Sequence, residues 1–463
     1  MPVSTHPDSP VRSSTWRACP LTASTIFPTF LLPTNLLPTN LMGGMGMGLR
    51  KAGGNWVAGD RFFDREVEVD ALIERVEDGT HTLVTAQRRM GKTSLVRELL
   101  RRLEERGDFE TVFVDLEDCA TPADAIVEIA AGSRHIRGLW TRLKSWAARS
   151  STSAVDRIDE LGASELRIKL RAGIDAGRWR AQGDALFASL AASEKPVVLA
   201  IDELPILVNR LLKGHEYTIT PERRQDTDAF LSWLRKNAQA HRDRIRLVVS
   251  GSVGLEPILE QAELSAHANV FAPFELRPWH EETAVACLGE LAASYGLEIP
   301  EGVRIGMFRR LRCGIPHHVQ QFFDWLHEHL RRDNRSEASM DDVDTVYSQD
   351  MLGVRGQVYL EHYQSRLRMV LGDDGYVVAL ELLTEAAVSD GRLTDSSIRQ
   401  YAAYRSVLSG ESGGQVRDVL HVLEHDGYLA RRDGGYNFVS GLVEDWWRAR
   451  NARGFVSFSD RHA

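Results

Sequence analysis

The chain has 463 residues, 43% of them hydrophobic, a formal net charge of −9 and four cysteines (Cys19, Cys119, Cys287, Cys313) at no metal-ligand or redox spacing. That length holds two or three domains with proper cores, and the scattered thiols exclude a disulfide framework and suit a reducing cytoplasm. The acidic balance argues against wholesale coating of nucleic acid but leaves a local basic patch open, and no apolar run approaches the ~20 residues of a membrane span.

Residues 1–46 are rich in Ser, Thr and Pro and repeat Leu31-Leu32-Pro33-Thr34-Asn35 as Leu36-Leu37-Pro38-Thr39-Asn40. The prolines break any segment of signal-peptide type. This head reads as disordered, or as upstream sequence before a true start at Met42, Met45 or Met47. Composition changes abruptly at Met47-Gly48-Leu49-Arg50.

Phe62-Phe63-Asp64-Arg65-Glu66 then opens a helical pattern with Val67, Val69, Leu72 and Ile73 at its apolar positions. The apolar run Thr82-Leu83-Val84-Thr85 leads into Ala86-Gln87-Arg88-Arg89-Met90-Gly91-Lys92-Thr93-Ser94, and a helical pattern follows. Strand, tight loop and helix start are the context of a nucleotide-phosphate cradle, in which backbone N–H groups converge on anionic oxygens. Lys92 would reach the β- and γ-phosphates, and the Thr93 hydroxyl would hold Mg²⁺. Ala86 stands where the pattern asks for glycine, so a distorted first turn is expected.

Thr111 to Leu116 reads as the next strand. Residues 119–194 are an insertion that starts helical and then alternates Leu166, Ile168 and Leu170 with charged residues, as a short amphipathic strand would. Its Trp140, Trp146 and Trp179 are either core residues or partner anchors. Pro196 to Ile201 is an apolar run of the kind buried on both faces of a parallel sheet, and it ends in Asp202-Glu203. Adjacent carboxylates there are costly without a counter-charge. Asp202 would support the Mg²⁺ and Glu203 would polarise a water. A helix N-cap is the plainer reading of the pair. Arg246 to Val249 ends in Ser250-Gly251-Ser252, where Ser250 is a candidate sensor of the γ-phosphate or water and a turn is the plainer reading. Phe274-Glu275-Leu276 is the expected last strand.

Residues 280–335 read as a helical lid, with Gly314-Ile315-Pro316 at a helix start and Val319, Phe322, Phe323, Leu326 and Leu330 on one face. Residues 336–369 form a helical linker. Residues 370–450 read as a winged helix with helices from Tyr376 to Leu383, Asp395 to Tyr404 and Gln415 to Glu424. A turn at Asp426-Gly427 and a hairpin from Tyr428 to Phe438 around Asp433-Gly434-Gly435 complete it. A short tail, 451–463, ends the chain. The third helix offers Gln415, Arg417, Asp418, His421 and Glu424 to solvent, a nearly neutral set, which favours protein contact over base reading. Arg431-Arg432 on the hairpin are candidate phosphate contacts or simply solvated.

Taken together, the aromatic-Asp-Arg-Glu entry, the Arg-Arg-x-Gly-Lys-Thr-Ser-Leu loop, the Asp-Glu strand end and Ser-Gly-Ser resemble the AAA+-related ATPases of the archaeal-type and STAND-like groups. Asp426-Gly427-Tyr428-Leu429, Tyr436 to Ser440 and Asp445-Trp446-Trp447 are similar to the end of the same proteins, so the likeness spans residues 54–450. The resemblance implies an α/β P-loop NTPase fold: an AAA+-like parallel sheet of order 5-1-4-3-2 within residues 47–279, a helical lid and a C-terminal winged helix. It also implies ATP and Mg²⁺ as ligands, with Phe63 and Arg65 near the adenine and Pro316 and His317 bringing the lid onto the nucleotide. A slowly hydrolysing switch with a protein partner is the first expectation. Homo-oligomers would arise if an arginine acts in trans; Arg235, Arg242, Arg244 and Arg309 are candidates of equal standing. The alternatives are an origin-recognition-like ATPase gripping duplex DNA, and a nucleotide-binding scaffold without turnover.

Overall fold

The apolar runs 197–202 and 245–250 between helical segments fold into strands covered on both faces. A computed structural model describes residues 48–52, 54, 56–136, 163–174, 177–409 and 414–461. The chain divides into units Met1–Gly46 and Met47–Ala463, and all described residues belong to the second. The expectations for residues 1–46, Trp140 and Trp146 lie outside the described residues.

In chain order the first half contains α1 (Glu66–Glu77), β1 (Thr82–Thr85), α2 (Lys92–Arg106), β2 (Glu110–Asp115) and α3 (Pro122–Gly132). Then come α4 (Ala163–Gly173), α5 (Trp179–Ala191), β3 (Val197–Asp202), α6 (Leu204–Lys213), α7 (Pro221–Ala240), β4 (Ile245–Ser250), α8 (Leu255–Gln261) and β5 (Ala272–Glu275). The five strands are parallel in the order β2-β3-β4-β1-β5, which read from the other edge is 5-1-4-3-2. Successive side chains point to opposite faces of a strand. Val197, Leu199, Ile201, Leu247 and Val249 therefore enter one core with Ile126, Phe187, Leu207 and Phe230, while Val198, Ala200 and Val248 enter another with Val69, Leu72, Leu95 and Leu99.

Two local readings are corrected. Leu166, Ile168 and Leu170 belong to helix α4, not to a strand. Alternation over five residues also contains an i, i+4 pair, so period 2 and period 3.6 overlap there. The helix buries Leu170 and leaves Ile168 70% exposed. In α1, Val69, Leu72 and Val76 form the buried stripe and Val67 faces solvent. Trp179 is a core residue, edge-on to Trp233 at 5.4 Å between centroids.

The second half is helical around a small sheet. It contains α9 (Glu281–Ser294), α10 (Glu301–Leu311), α11 (Pro316–Arg332), α12 (Met340–Val346) and α13 (Val354–Val388). Then follow β6 (Arg392–Thr394), α14 (Asp395–Ser409), α15 (Gly414–His425), β7 (Leu429–Arg432), β8 (Gly435–Phe438) and α16 (Gly441–Asn451). Helix α13 is interrupted at Gly372 (φ 73°), so it comprises the segments 354–371 and 373–388. The strands pair antiparallel as β6-β8-β7. Val319, Phe322, Phe323, Leu326 and Leu330 of α11 are all buried, sharing a core with Leu382, Leu383, Trp446 and Trp447. Among the described residues no helix is long and apolar enough to cross a membrane.

Trp233 packs on Trp179, Phe187 and Phe230, and its Nε1 donates to Asp184 at 2.9 Å. Trp233→Ala is expected to cost about 3–5 kcal/mol through lost burial and the cavity left behind. Urea unfolding followed by circular dichroism measures this, and a loss under about 1 kcal/mol would contradict the packing described.

Candidate functional site

Strand β1 ends at Thr85, and the chain turns through residues 86–91 before α2 begins at Lys92. Left-handed backbone occurs at Arg89 (φ 66°) and Gly91 (φ 87°), but not at Ala86. The methyl of Ala86 therefore meets no backbone strain, and the expected distortion is absent. Lys92 Nζ folds back to donate to Ala86 O (2.8 Å) and Gln87 O (3.1 Å). Burial pushes its ammonium down to about 8, against the pull of Glu203, Asp202 and Asp426.

Asp202, the last residue of β3, is 4% exposed. Three donors from three elements satisfy it. Thr93 Oγ1 donates to Oδ2 at 2.6 Å, Ser250 Oγ to Oδ1 at 2.6 Å, and the Glu203 N–H to Oδ1 at 3.1 Å. Beside it, Glu203 takes a left-handed conformation (φ 57°), and its Oε2 accepts from both the N–H and the Oγ of Ser252 at 2.9 Å. Burial raises the Glu203 carboxyl, Asp202 adds to that, and Arg366 and Ser252 oppose it. Ser250 is fully buried and committed to Asp202. The residue that sequence reading passed over is Ser252, although the tripeptide Ser250-Gly251-Ser252 already contained it. A hydroxyl and a carboxylate converging at hydrogen-bond distance are the hard oxygen donors that Mg²⁺ takes together with phosphate and water, so Thr93 and Asp202 fit that ion.

The remaining predicted residues fall in two places. Ser94 Oγ accepts from the Val57 N–H at 3.0 Å. Met90, Ala86 and Ile315 share one apolar cluster with Leu276, and Pro316 opens α11 beside it. Phe63 lies edge-on to Trp279 at 5.7 Å. The Arg65 guanidinium is 5.9 Å from that ring and donates to Arg277 O at 2.7 Å. The structure thus groups Lys92, Thr93, Asp202, Glu203 and Ser250 directly, while Phe63 and Arg65 gather around Trp279, just beyond β5.

The loop is also gripped from the second half of the chain. Gln87 Nε2 donates to Gly427 O at 2.6 Å. Gly427 has φ 75°, and a Cβ there would stand 2.6 Å from Gln87 Cγ, so only glycine fits this approach. Arg89 Nη2 donates to Tyr359 O at 3.0 Å, and its Nη1 meets His317 Nε2 at 2.5 Å. Burial, then Arg89, hold His317 well below its ordinary value, so a neutral ring accepts that bond. The Gly254 N–H donates to Asp426 Oδ1 at 2.9 Å. The last turns of α15 meet α8 through two histidines: His421 Nδ1 lies 2.8 Å from Glu260 and His425 Nε2 3.2 Å from Glu256.

No protein-family model and no curated protein matches the chain. Solved structures do. The Walker-type ATPase PABY2304 of Pyrococcus abyssi is 15% identical with a TM-score of 0.52, over 84% of this chain and 96% of that one. The Aeropyrum pernix ORC2 protein, in its ADPNP–ADP complexes, is 11% identical with a TM-score of 0.51, over 85% and 97%. At that identity the likeness is one of fold. The parallel sheet of order 5-1-4-3-2 and the strand–loop–helix at residues 82–106 give the chain an α/β P-loop NTPase fold with an AAA+-like sheet.

The contact of α15 with α8 sets a pH dependence. Burial works against the charge of His425, but Asp426 and Glu256 outweigh it and hold the imidazole up to about 9. A folded-state value above the unfolded one stabilises fully below about pH 6.5 and is lost as pH rises through about 9. His425→Gln is therefore expected to lower stability by about 2–3 kcal/mol near pH 6, with the difference gone near pH 10. Urea midpoints of both proteins at the two pH values decide it, and a pH-independent difference would contradict the ion pair.

Proposed function

We propose that the protein is an ATP-binding, slowly hydrolysing ATPase that works as a nucleotide-dependent switch. The observation that carries this reading is the buried Asp202 carboxylate, joined to Thr93 and Ser250 beside Glu203 and Lys92. The N–H groups of residues 86–94 and Lys92 would hold the phosphates, and Thr93 and Asp202 would hold Mg²⁺. When bound, Mg²⁺ neutralises charge on the phosphate oxygens. Glu203, with a raised affinity for protons, accepts one from the attacking water, and Ser252 fixes which way its carboxylate turns. Ser250 keeps Asp202 oriented toward Thr93 and acts as the sensor through that bond. Phe63, Arg65 and Pro316 border the base in this reading.

The switch follows from how the loop is shared. In this reading residues 47–279 are the ATPase core, 280–335 the lid, 336–369 the linker and 370–450 a winged helix. Gln87 and Arg89 of the phosphate loop bond to Gly427 and Tyr359, so a ligand that reshapes the loop acts on the second half directly. Ligands move such equilibria only through differential affinity for the two arrangements. On α15, His421 is paired with Glu260 and His425 with Glu256, while Arg417, Asp418 and Glu424 stay exposed as a nearly neutral set. That supports a protein-contacting winged helix, and a cytoplasmic protein partner, over a duplex-gripping one. An arginine supplied in trans would add dependence on homo-oligomerisation.

ATP turnover measured against protein concentration tests this. Glu203→Gln is expected to cut turnover by about 10²–10⁴-fold while ATP still binds, and Lys92→Ala is expected to abolish binding. A more than linear rise with concentration would mean an arginine in trans. ATP bound without any turnover above the Glu203→Gln background would make the protein a nucleotide-held scaffold, and salt-dependent duplex binding would restore the DNA reading. Absence of nucleotide binding by the unaltered protein would overturn the proposal.

A further inference from the structure

The first segment of α13, residues 354–371, touches the core along the carboxyl edge of the parallel sheet, the edge where such folds take ligands. Its contacts run in sequence. Tyr359 O accepts from Arg89 of the phosphate loop, and within the second half Tyr363 O accepts from Tyr428 OH at 2.6 Å. Arg366 Nη2 meets Glu117 at 3.1 Å, and Met369 O accepts from Asn209 of α6 at 3.0 Å. Val370 O accepts from Lys213, at the end of α6. One helix thus forms a strap from the phosphate loop to the far side of β3.

Arg366 is the basic side chain that this strap brings to the middle of that edge. Its anchor, Glu117, lies two residues beyond Asp115, which stands opposite Asp202 in the β2–β3 register. The Glu117 side chain is 53% exposed and that of Arg366 only 16%. A pair with so exposed a carboxylate is weak and readily exchanged. On the other side stands Arg88 of the phosphate loop, whose Nη1 is buried without a hydrogen-bond partner. Burial lowers the Arg88 guanidinium, and the charge of Arg366 lowers it further. The charge of Arg366 also reaches Glu203. Two guanidinium charges that act on one another, one of them with an unpartnered N–H, favour an anion.

We propose that Arg366, carried by the strap, engages the terminal phosphate of a bound nucleoside triphosphate in cis, together with Arg88, and so makes the seat of the strap depend on that phosphate. The proposal rests on the nucleotide reading above. It differs from the sequence expectation in two respects. Arg366 was not among the arginines considered, and it comes from the same chain as the site. Arg244, which was considered, donates instead to the carbonyl groups of Ala191 and Ser193.

The test is direct binding of fluorescent ATP and ADP analogues to the full chain, comparing the unaltered protein with Arg366→Ala, Arg366→Lys and Glu117→Gln. Arg366→Ala is expected to weaken ATP by about tenfold or more and ADP by less than about twofold. Arg366→Lys should recover part of the ATP preference, because it keeps the charge and loses the fork. Glu117→Gln should leave ATP no weaker than in the unaltered protein, because it frees the guanidinium. Equal losses for ATP and ADP in Arg366→Ala, or equal effects of Arg366→Ala and Glu117→Gln, would mean that Arg366 only tethers the strap. An unchanged ATP:ADP ratio would likewise overturn the proposal while leaving the nucleotide reading intact. An unaltered protein that binds neither nucleotide would overturn both.

Discussion

A carboxylate buried at the end of a central strand constrains everything around it. Asp202 is almost wholly inside, and an ionised group there is tolerated only when donors surround it. The donors come from Thr93 at the start of α2, Ser250 at the end of β4 and the Glu203 N–H. For Ser250 to reach it, β4 must lie beside β3. For Thr93 to reach it, the loop leaving β1 must arrive from β4's other side, which is the 1-4-3 segment of the observed sheet. Topology and site are therefore one requirement. Removing a single donor would leave charge uncompensated, and breaking such arrangements is more damaging than replacing them whole.

The second half of the molecule completes the loop rather than merely covering it. Gln87 is buried, and its amide is satisfied by Gly427, 340 positions away. Arg89 is held by Tyr359 and His317 in the same way. A buried polar group deprived of its partner carries the full cost of desolvation. The loop thus cannot change shape without either breaking these bonds or moving the elements that provide them. Under the switch proposed above, this polar network is where the loop and the second half would be coupled.

Much of this was readable from sequence because its causes are local. β3 and β4 announce themselves as apolar runs ending in a carboxylate and a hydroxyl, and the loop before Lys92 by its glycine and its place between strand and helix. Ala86 looked like a defect only because the pattern names glycine; the backbone there never enters the region that excludes a methyl. Ile168 shows the opposite failure, since five alternating residues fit two periods and the packing of Leu170 decides between them. Ser252, Arg366 and the partner of Gln87 escaped for a different reason. Each acts through a partner 49, 249 or 340 positions away, and nothing local marks a Ser, Gln or Arg as belonging to such a pair. The near-neutral composition of α15 was readable, but the surface it meets was not. His421 and His425 find Glu260 and Glu256 only once α8 is folded beneath them.

The scale of the contacts between the two halves bears on what can move them. Each hydrogen bond across this boundary contributes about 0.5–1.5 kcal/mol net, more where a charge takes part. Gln87–Gly427, Arg89–Tyr359, Gly254–Asp426, Asn209–Met369 and the two His–Glu pairs together amount to several kcal/mol. Reversing a two-state population from 1:99 to 99:1 needs about 5.5 kcal/mol of differential affinity. The two quantities are of the same order. A much larger interface would be insensitive to any single small ligand, and a much smaller one would leave the second half unordered whatever was bound. With the polar contacts spread over the loop before Lys92, α6 and α8, a ligand that discriminated between two arrangements by that much would be sufficient in magnitude to shift them under the switch proposed above. The His425–Glu256 pair places part of the stability of this contact under the control of pH.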